Sequence, residues 1–128
     1  MYYGEFDYAK RILIIDDSEV DREILTNLLT IGGYEVETAE NGYAGLELIL
    51  RGRNVIDCIM LDLHMPIMNG FSVLEIMKQN DVKIPVIIIT AESTSENLMK
   101  TFPYNIADFI CKPYDPSRIW ERLENLFR

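Results

Sequence analysis

Three almost uninterrupted runs of apolar residues constrain the fold of this chain more than any other feature. They are Ile12–Ile15, Cys58–Leu61 and Val86–Ile89. An amphipathic helix, or a strand with one face in water, would place polar residues within such runs, whereas a strand covered on both faces does not. The runs therefore predict a parallel sheet that is buried between two layers of helices.

Two weaker segments complete the predicted sheet. The five predicted strands are Arg11–Ile15, Tyr34–Thr38, Ile56–Leu61, Pro85–Ile89 and Asp108–Cys111. The second strand alternates polar and apolar residues, which is typical of a strand at the edge of a sheet.

The segments between the predicted strands show the periodicity of amphipathic helices. The first helix follows Ser18, a residue type that caps helices, and ends at Gly32-Gly33. The other helices are predicted at about Tyr43–Leu50, Phe71–Gln79, Ser93–Thr101 and from Asp115-Pro116 onwards. The predicted apolar stripes are Val20, Ile24, Leu28 and Ile31 in the first helix, Phe71, Leu74 and Met77 in the third, and Ile119, Leu123 and Leu126 in the last. Five β-α units predict a doubly wound α/β sandwich.

Length and composition narrow the class of protein. A chain of 128 residues, 48% of them hydrophobic, suits one domain with a sizeable core. The net charge of −9 disfavours direct nucleic-acid binding by this domain. No apolar run approaches the ~20 residues of a membrane span, and residues 1–10 lack an apolar signal segment, so we expect a soluble, cytoplasmic protein without membrane association.

Cys58 and Cys111 are too few for a zinc site or a disulfide scaffold, and we expect both to be reduced and packed in the core.

Four predicted strands end in residues that can take part in chemistry. Asp16 and Asp17 follow the first strand, Asp62 the third, Thr90 the fourth and Lys112 the fifth. Because ligand sites of open parallel sheets form at the carboxyl ends of the strands, we expect these side chains to share one rim. Neighbouring strands lie about 4.8 Å apart, so the three carboxylates repel one another and the single ammonium group balances them only in part.

This imbalance of charge favours the binding of a divalent cation, and carboxylate oxygens favour Mg²⁺. A carboxylate can also attack phosphorus and form an acyl phosphate. The metal, Lys112 and the Thr90 hydroxyl would then stabilise the transferred phosphoryl group.

The same residues resemble the receiver domains of bacterial two-component response regulators. The resemblance covers about residues 10–128. It rests on the stretches Ile14-Ile15-Asp16-Asp17-Ser18, Leu61–Gly70, Thr90-Ala91 and Lys112-Pro113, with Tyr34, Val36, Ala39, Asn41-Gly42 and Ala44 as further matches. It implies a flavodoxin-like, doubly wound (βα)5 three-layer sandwich with a parallel five-stranded sheet in the order 2-1-3-4-5. The strands of Cys58 and Cys111 would then lie about 10 Å apart, too far for a disulfide.

The resemblance also implies roles at the rim. Asp62 is the phosphoacceptor and a ligand of Mg²⁺. Asp17 coordinates the metal directly, Asp16 acts through water, and the backbone carbonyl of His64 supplies a further ligand. Lys112 pairs with a phosphoryl oxygen.

Other implied roles concern the response to phosphorylation. Thr90 moves toward the phosphoryl group and Phe109 changes rotamer with it. The side chains of His64 and Ser93 occupy positions that tune the lifetime of the phosphoryl group. The Lys112-Pro113 bond is expected to be cis.

The expected organisation is an N-terminal extension over residues 1–9, which we expect to be flexible, and a receiver domain over residues 10–128. The implied phosphodonor is a sensor histidine kinase or a phosphotransfer protein. A C-terminal effector domain beyond Arg128 and a phosphorylation-dependent homodimer are left open. The domain is expected to promote its own phosphorylation and dephosphorylation only, and not to be an enzyme otherwise.

Departures from the family pattern fall near the fourth helix. Asn105-Ile106 stands where the family has a small Gly-Ala pair, and Pro103 should shorten the helix. The stretch Thr101–Ile106 therefore puts the family's usual output face in doubt. Three other functions are possible on the same pattern. An aspartyl-phosphate phosphatase would need an aspartate at the position of His64, and a flavin module would need a hydroxyl- and glycine-rich phosphate loop where Asp16-Asp17 stands. The third is a receiver-like module that binds partners without phosphorylation.

Overall fold

The computed structural model describes residues 9–52, 55–92 and 94–128, and it contains one parallel sheet with helices on both faces. The strands are β1 Arg11–Ile15, β2 Glu35–Ala39, β3 Cys58–Asp62, β4 Val86–Thr90 and β5 Ile106–Cys111. The helices are α1 Glu19–Ile31, α2 Gly42–Gly52, α3 Gly70–Gln79, α4 Ser95–Lys100 and α5 Pro116–Leu126. The strand order is β2-β1-β3-β4-β5, so the predicted doubly wound sandwich and its order are confirmed. The expected N-terminal extension lies outside the described residues except for position 9.

Two hydrophobic cores follow from the alternation of side chains along the strands. Leu13 and Ile59 point to the face covered by α2 and α3. Ile12 and Met60 point to the opposite face, which α1 and α5 cover. Every residue of β3 and β4 is buried, as the apolar runs predicted.

The strand β2 forms one edge of the sheet and pairs with β1 in parallel. Its exposed side carries acidic residues, and the Arg11 guanidinium forms ion pairs with Glu35 at 2.8 Å and Glu37 at 2.9 Å. The predicted edge position is thus confirmed.

The predicted apolar stripe of α1 is wrong. Leu25 and Leu29 are the buried residues of this helix, whereas Val20 is 65% exposed and Ile31 74% exposed. Leu28 belongs to the predicted stripe, and it also packs against the core together with Leu25 and Leu29. Periodicity alone therefore could not choose between the predicted stripe and the observed one. In the observed rotation Asp21 and Arg22, at the start of the helix, make polar contacts with residues at the carboxyl edge of the sheet.

The expectation of two core-packed cysteines holds for only one of them. Both cysteines are free. Cys58 is buried in β3, and burial raises the pKa of its thiol to about 12. Cys111 is exposed at the end of β5, which is the second edge strand of the sheet. The strand β4 lies between the two cysteine strands, as expected.

Helix α4 is short. Thr94 caps it by accepting a hydrogen bond from the Asn97 amide, and it ends at Lys100, before Pro103. The predicted start at Ser93 lies outside the described residues. None of the helices in the described part of the chain is long and apolar enough to cross a membrane.

Candidate functional site: an acidic rim at the carboxyl edge of the sheet

The strand register brings the predicted site residues to one edge of the sheet. Ile15 pairs with Leu61, so the residues that come next, Asp16 and Asp62, lie side by side. Thr90 ends β4, and the Lys112 amide donates a hydrogen bond to its carbonyl at 2.9 Å. The sequence therefore located the rim correctly.

Three carboxylates form a compact cluster at this rim. One carboxylate oxygen each from Asp16, Asp17 and Asp62 lies within 4.8 Å of the others. Asp16 is fully buried and Asp62 is 6% exposed, whereas Asp17 is exposed. Like charges this close repel strongly where water is excluded.

The environment of Asp62 favours its neutral form. Burial raises the pKa of this carboxyl to about 6, and the charge of Asp16 acts in the same direction. The His64 amide, which donates a hydrogen bond to Asp62 Oδ1 at 3.1 Å, and the Lys112 ammonium oppose the rise. A bound cation would restore the carboxylate form.

Lys112 lies at the centre of the rim. Its Nζ is 2.8 Å from Asp16 Oδ2, 2.8 Å from Asp21 Oδ2 and 3.4 Å from Asp62 Oδ2. Burial by itself lowers the pKa of Lys112, but the hydrogen bonds to Asp16 and Asp21 and the charge of Asp62 raise it above the ordinary value. The bond between Lys112 and Pro113 is cis, as expected.

Sequence reasoning missed Asp21. It lies in the first turn of α1, where an acidic residue is ordinarily explained by the helix dipole. With the correct rotation of α1, Asp21 shares a face with Leu25 and Leu28, four and seven positions later, and this face turns toward the sheet. The Arg22 guanidinium, which donates to the Asp16 carbonyl at 2.7 Å, anchors the same turn.

The cluster fits a hard divalent cation. Its donors are carboxylate oxygens, which Mg²⁺ prefers, and the excess of negative over positive charge favours binding. The surrounding backbone is held in place, since Asp16 Oδ1 accepts a hydrogen bond from the Ser18 amide at 3.0 Å. The residues present could therefore hold a metal ion.

Thr90 lies on the other side of the rim, at the end of β4, whereas Phe109 lies earlier in β5 and pairs with Ile88. The Thr90 hydroxyl donates to the Glu92 carbonyl and accepts from the Glu92 amide, both at 3.1 Å, so it is engaged with its own loop. Phe109 is half-buried and lines a cavity of about 300 Å³ that includes Thr101 and Tyr104.

A second missed residue, Asn97, links the two loops beside the site. Its side-chain Nδ2 donates to the Glu92 carbonyl at 3.3 Å and lies 3.2 Å from His64 Nε2. Asn97 is 9% exposed although the His64 side chain is exposed. The fourth predicted helix has a weak apolar pattern, so the sequence did not single out Asn97. Ser93, the other residue expected to tune the phosphoryl lifetime, lies outside the described residues.

The turn after Asp62 depends on close backbone packing. Asn69 caps α3 through the Ser72 amide, and the Gly70 amide donates to the Leu63 carbonyl at 2.9 Å. A Cβ atom at Gly70 would lie 2.5 Å from the Asp62 carbonyl oxygen, so a side chain there would displace the strand end that carries Asp62.

The fold and the rim together define an α/β domain with an acidic site at the topological switch point of its sheet. The sequence matches the response regulator receiver domain family over residues 12–124, and the chain belongs to this family. It is a receiver domain of two-component signal transduction, and its acidic rim fits the phosphoacceptor role of such a signalling domain.

Curated relatives and solved structures agree with this assignment. The chain is 30% identical over 118 residues to the transcriptional regulatory protein CusR of Escherichia coli K12, an alignment that covers 92% of this chain and 51% of CusR. It is 32% identical over 124 residues to the two-component response regulator ARR12 of Arabidopsis thaliana, covering 97% of this chain and 20% of ARR12. The chain thus spans about half or less of these relatives.

Two solved structures show the same fold. The CheX-CheY-BeF3-Mg complex of Borrelia burgdorferi is similar with a TM-score of 0.90 and 26% identity, covering 97% of this chain and 93% of that one. The chemotaxis protein CheY4 of Vibrio cholerae is similar with a TM-score of 0.84 and 28% identity, covering 93% of this chain and 99% of that one.

Proposed function

We propose that Asp62 accepts a phosphoryl group from a phosphohistidine of a sensor histidine kinase or a phosphotransfer protein. The observation that carries the proposal is the position of Asp62, which lies among two further carboxylates and within 3.4 Å of the Lys112 ammonium. An Asp62 oxygen forms a bond to phosphorus as the bond between phosphorus and the donor imidazole nitrogen breaks. That nitrogen keeps the electron pair and takes up a proton, and the product is an acyl phosphate.

Mg²⁺ is the proposed cofactor. Asp17, Asp62 and the backbone carbonyl of His64 would hold it directly, and Asp16 would act through water. When bound, the ion supplies positive charge that offsets the carboxylates and the phosphoryl oxygens. The similarity to a Borrelia burgdorferi structure that is described as a complex with BeF3 and Mg supports this choice of metal.

Lys112, Thr90 and Phe109 have the remaining roles in the proposed response to phosphorylation. Lys112 pairs with a phosphoryl oxygen, while Thr90 gives up its hydrogen bonds to Glu92 and turns toward the new charge. Phosphorylation adds about 1.5 to 2 negative charges. Phe109 then occupies the cavity beside it, and the surface formed by α4, β5 and α5 changes its population of conformers.

The proposal extends to the domain organisation, the location and the oligomeric state of the protein. The chain forms a receiver domain over residues 10–128 after a short extension, it acts in the cytoplasm, and it promotes only its own phosphorylation and dephosphorylation. The larger size of CusR, a transcriptional regulatory protein, supports an effector domain beyond Arg128. Two exposed apolar side chains, Met99 in α4 and Phe102 just after it, support a homodimer that forms on phosphorylation.

Labelling by a small acyl phosphate donor in the presence of Mg²⁺ tests the phosphoacceptor. The wild-type chain should gain the mass of one phosphoryl group, and Asp62→Asn should gain none. Asp81→Asn is the matched control, because Asp81 is exposed and has a φ of 56°, which asparagine tolerates. If Asp62→Asn still gains one phosphoryl group, another residue is the acceptor.

Lys112→Ala should still be labelled. In the wild type, labelling should change the NMR chemical shifts of β5 and α5, and these changes should be absent in the variant. Retention of these changes in the variant would remove Lys112 from the coupling between the site and the surface.

A further inference from the structure

The Lys112 ammonium uses all its hydrogen-bonding capacity before any phosphoryl group arrives. A lysine ammonium has three N–H donors. Three carboxylate oxygens surround it, two at 2.8 Å from Asp16 and Asp21 and one at 3.4 Å from Asp62. Phosphorylation of Asp62 would free the donor that makes the 3.4 Å contact, but Asp21 still holds the ammonium at 2.8 Å, so a phosphoryl oxygen competes with the Asp21 carboxylate for the position of Lys112.

The three partners differ in how readily they can give up Lys112. The Asp16 side chain is fully buried, so without Lys112 its charge would lose its charged partner while it stays shielded from bulk water. The Asp62 carboxyl itself carries the phosphoryl group. The Asp21 side chain is 31% exposed, and water can replace the ammonium as its partner.

The position of Asp21 is set by the helix rather than by chance contact of a flexible side chain. Its amide donates to the Ser18 hydroxyl at 3.2 Å, which places Asp21 in the capped first turn of α1. Its carboxylate reaches Lys112 across to the end of β5, and it approaches the ammonium more closely than Asp62 does.

We infer that Asp21 is a positioning residue that holds Lys112 in the unphosphorylated domain and competes with the phosphoryl group for it. This inference rests on the proposed function of Asp62 and Lys112. Asp21 does not contact the reacting atoms, and it acts on them only through the ammonium group of Lys112. The domain therefore has an intrinsic restraint on phosphorylation, located on a residue outside the set that the strand ends predicted.

Neutralising Asp21 should release this restraint. A partly exposed ion pair changes an equilibrium constant by a factor of roughly two to five. At saturating Mg²⁺, Asp21→Asn should raise the rate constant for labelling by a small acyl phosphate donor by about this factor. Asp21→Ser, whose side chain is too short to reach the ammonium, should raise it at least as much.

Two comparisons separate this role from a general effect of charge or of stability. Glu23→Gln removes the same charge from an exposed position on the same helix, and it should label at the wild-type rate. In a Lys112→Ala background, Asp21→Asn should have no further effect, because the residue acts through Lys112. Circular dichroism and thermal unfolding identify which variants are folded.

The outcomes are distinct. Wild-type rates in both Asp21 variants, or an increase that persists without Lys112, would overturn the inference while leaving the phosphoacceptor intact. If the wild type is not labelled, or if Asp62→Asn is labelled, the proposed function itself fails. An increase in both Asp21 variants that disappears in the Lys112→Ala background would support the inference.

Discussion

The two sides of the acidic rim are held together by different forces. On the Lys112 side, one ammonium group joins α1, β1 and β3 through charged hydrogen bonds to Asp16, Asp21 and Asp62. On the Thr90 side, the loop before the six-residue helix α4 is held by neutral hydrogen bonds between Thr90, Glu92 and Asn97. Charged hydrogen bonds are roughly twice as strong as neutral ones. The difference indicates that the Lys112 side is organised before phosphorylation, whereas the Thr90 side can rearrange at small cost.

Removing the ammonium group should give the largest effect on stability. In Lys112→Ala the buried Asp16 loses a charged partner, and a broken buried ion pair costs about 3–5 kcal/mol. Urea unfolding without Mg²⁺ should show this loss, and added Mg²⁺ should recover part of it. Lys83→Ala is the control, since the ion pair of Lys83 with Asp81 is more than 80% exposed on both sides and should matter little. Equal stability of the two variants would mean that the Lys112 side is no more strongly held than the surface.

Neutralising Asp62 should have an intermediate effect of the opposite sign. Its pKa rises from 3.8 to about 6 on folding, so the folded domain keeps this proton to higher pH than the unfolded chain. The contribution of Asp62 to the free energy of unfolding should therefore fall as pH rises from about 4 to about 6, and it should stay constant above that range. Asp62→Asn lacks this loss and should be more stable at pH 7 by roughly 1–3 kcal/mol in the absence of Mg²⁺.

Urea unfolding at a series of pH values measures this difference, with Asp81→Asn as the exposed control. A wild type and an Asp62→Asn variant with parallel pH profiles would show that burial of Asp62 does not strain the domain.

The smallest effect is expected on the Thr90 side. Asn97→Ala removes hydrogen bonds of a buried amide and should cost about 1 kcal/mol. Because Thr90 and Asn97 both donate to the Glu92 carbonyl, the double variant with Thr90→Ala should depart from additivity by about 0.5 kcal/mol or more. Asn97→Ala and Lys112→Ala, which belong to different sides, should instead be additive. Coupling between Asn97 and Lys112 as large as that with Thr90 would contradict the division of the rim into two sides.

Much of this molecule follows from local patterns in the sequence. The apolar runs of β1, β3 and β4 determined a sheet covered on both faces, since few other structures bury consecutive side chains in opposite directions. The ends of these strands then located Asp16, Asp62 and Thr90 at one rim, because carboxyl ends of parallel strands share an edge. The strand order came from the family resemblance.

Other features were decided only by the tertiary structure. The rotation of α1 could not be predicted, because Leu28 belongs to two overlapping stripes and the choice depends on contacts with residues distant in sequence. The contact of Asp21 with Lys112 joins positions 91 residues apart, and that of Asn97 with His64 joins positions 33 apart. Short-range patterns report which way a side chain points within its own element, whereas its partner across the rim is set by how the elements pack against one another.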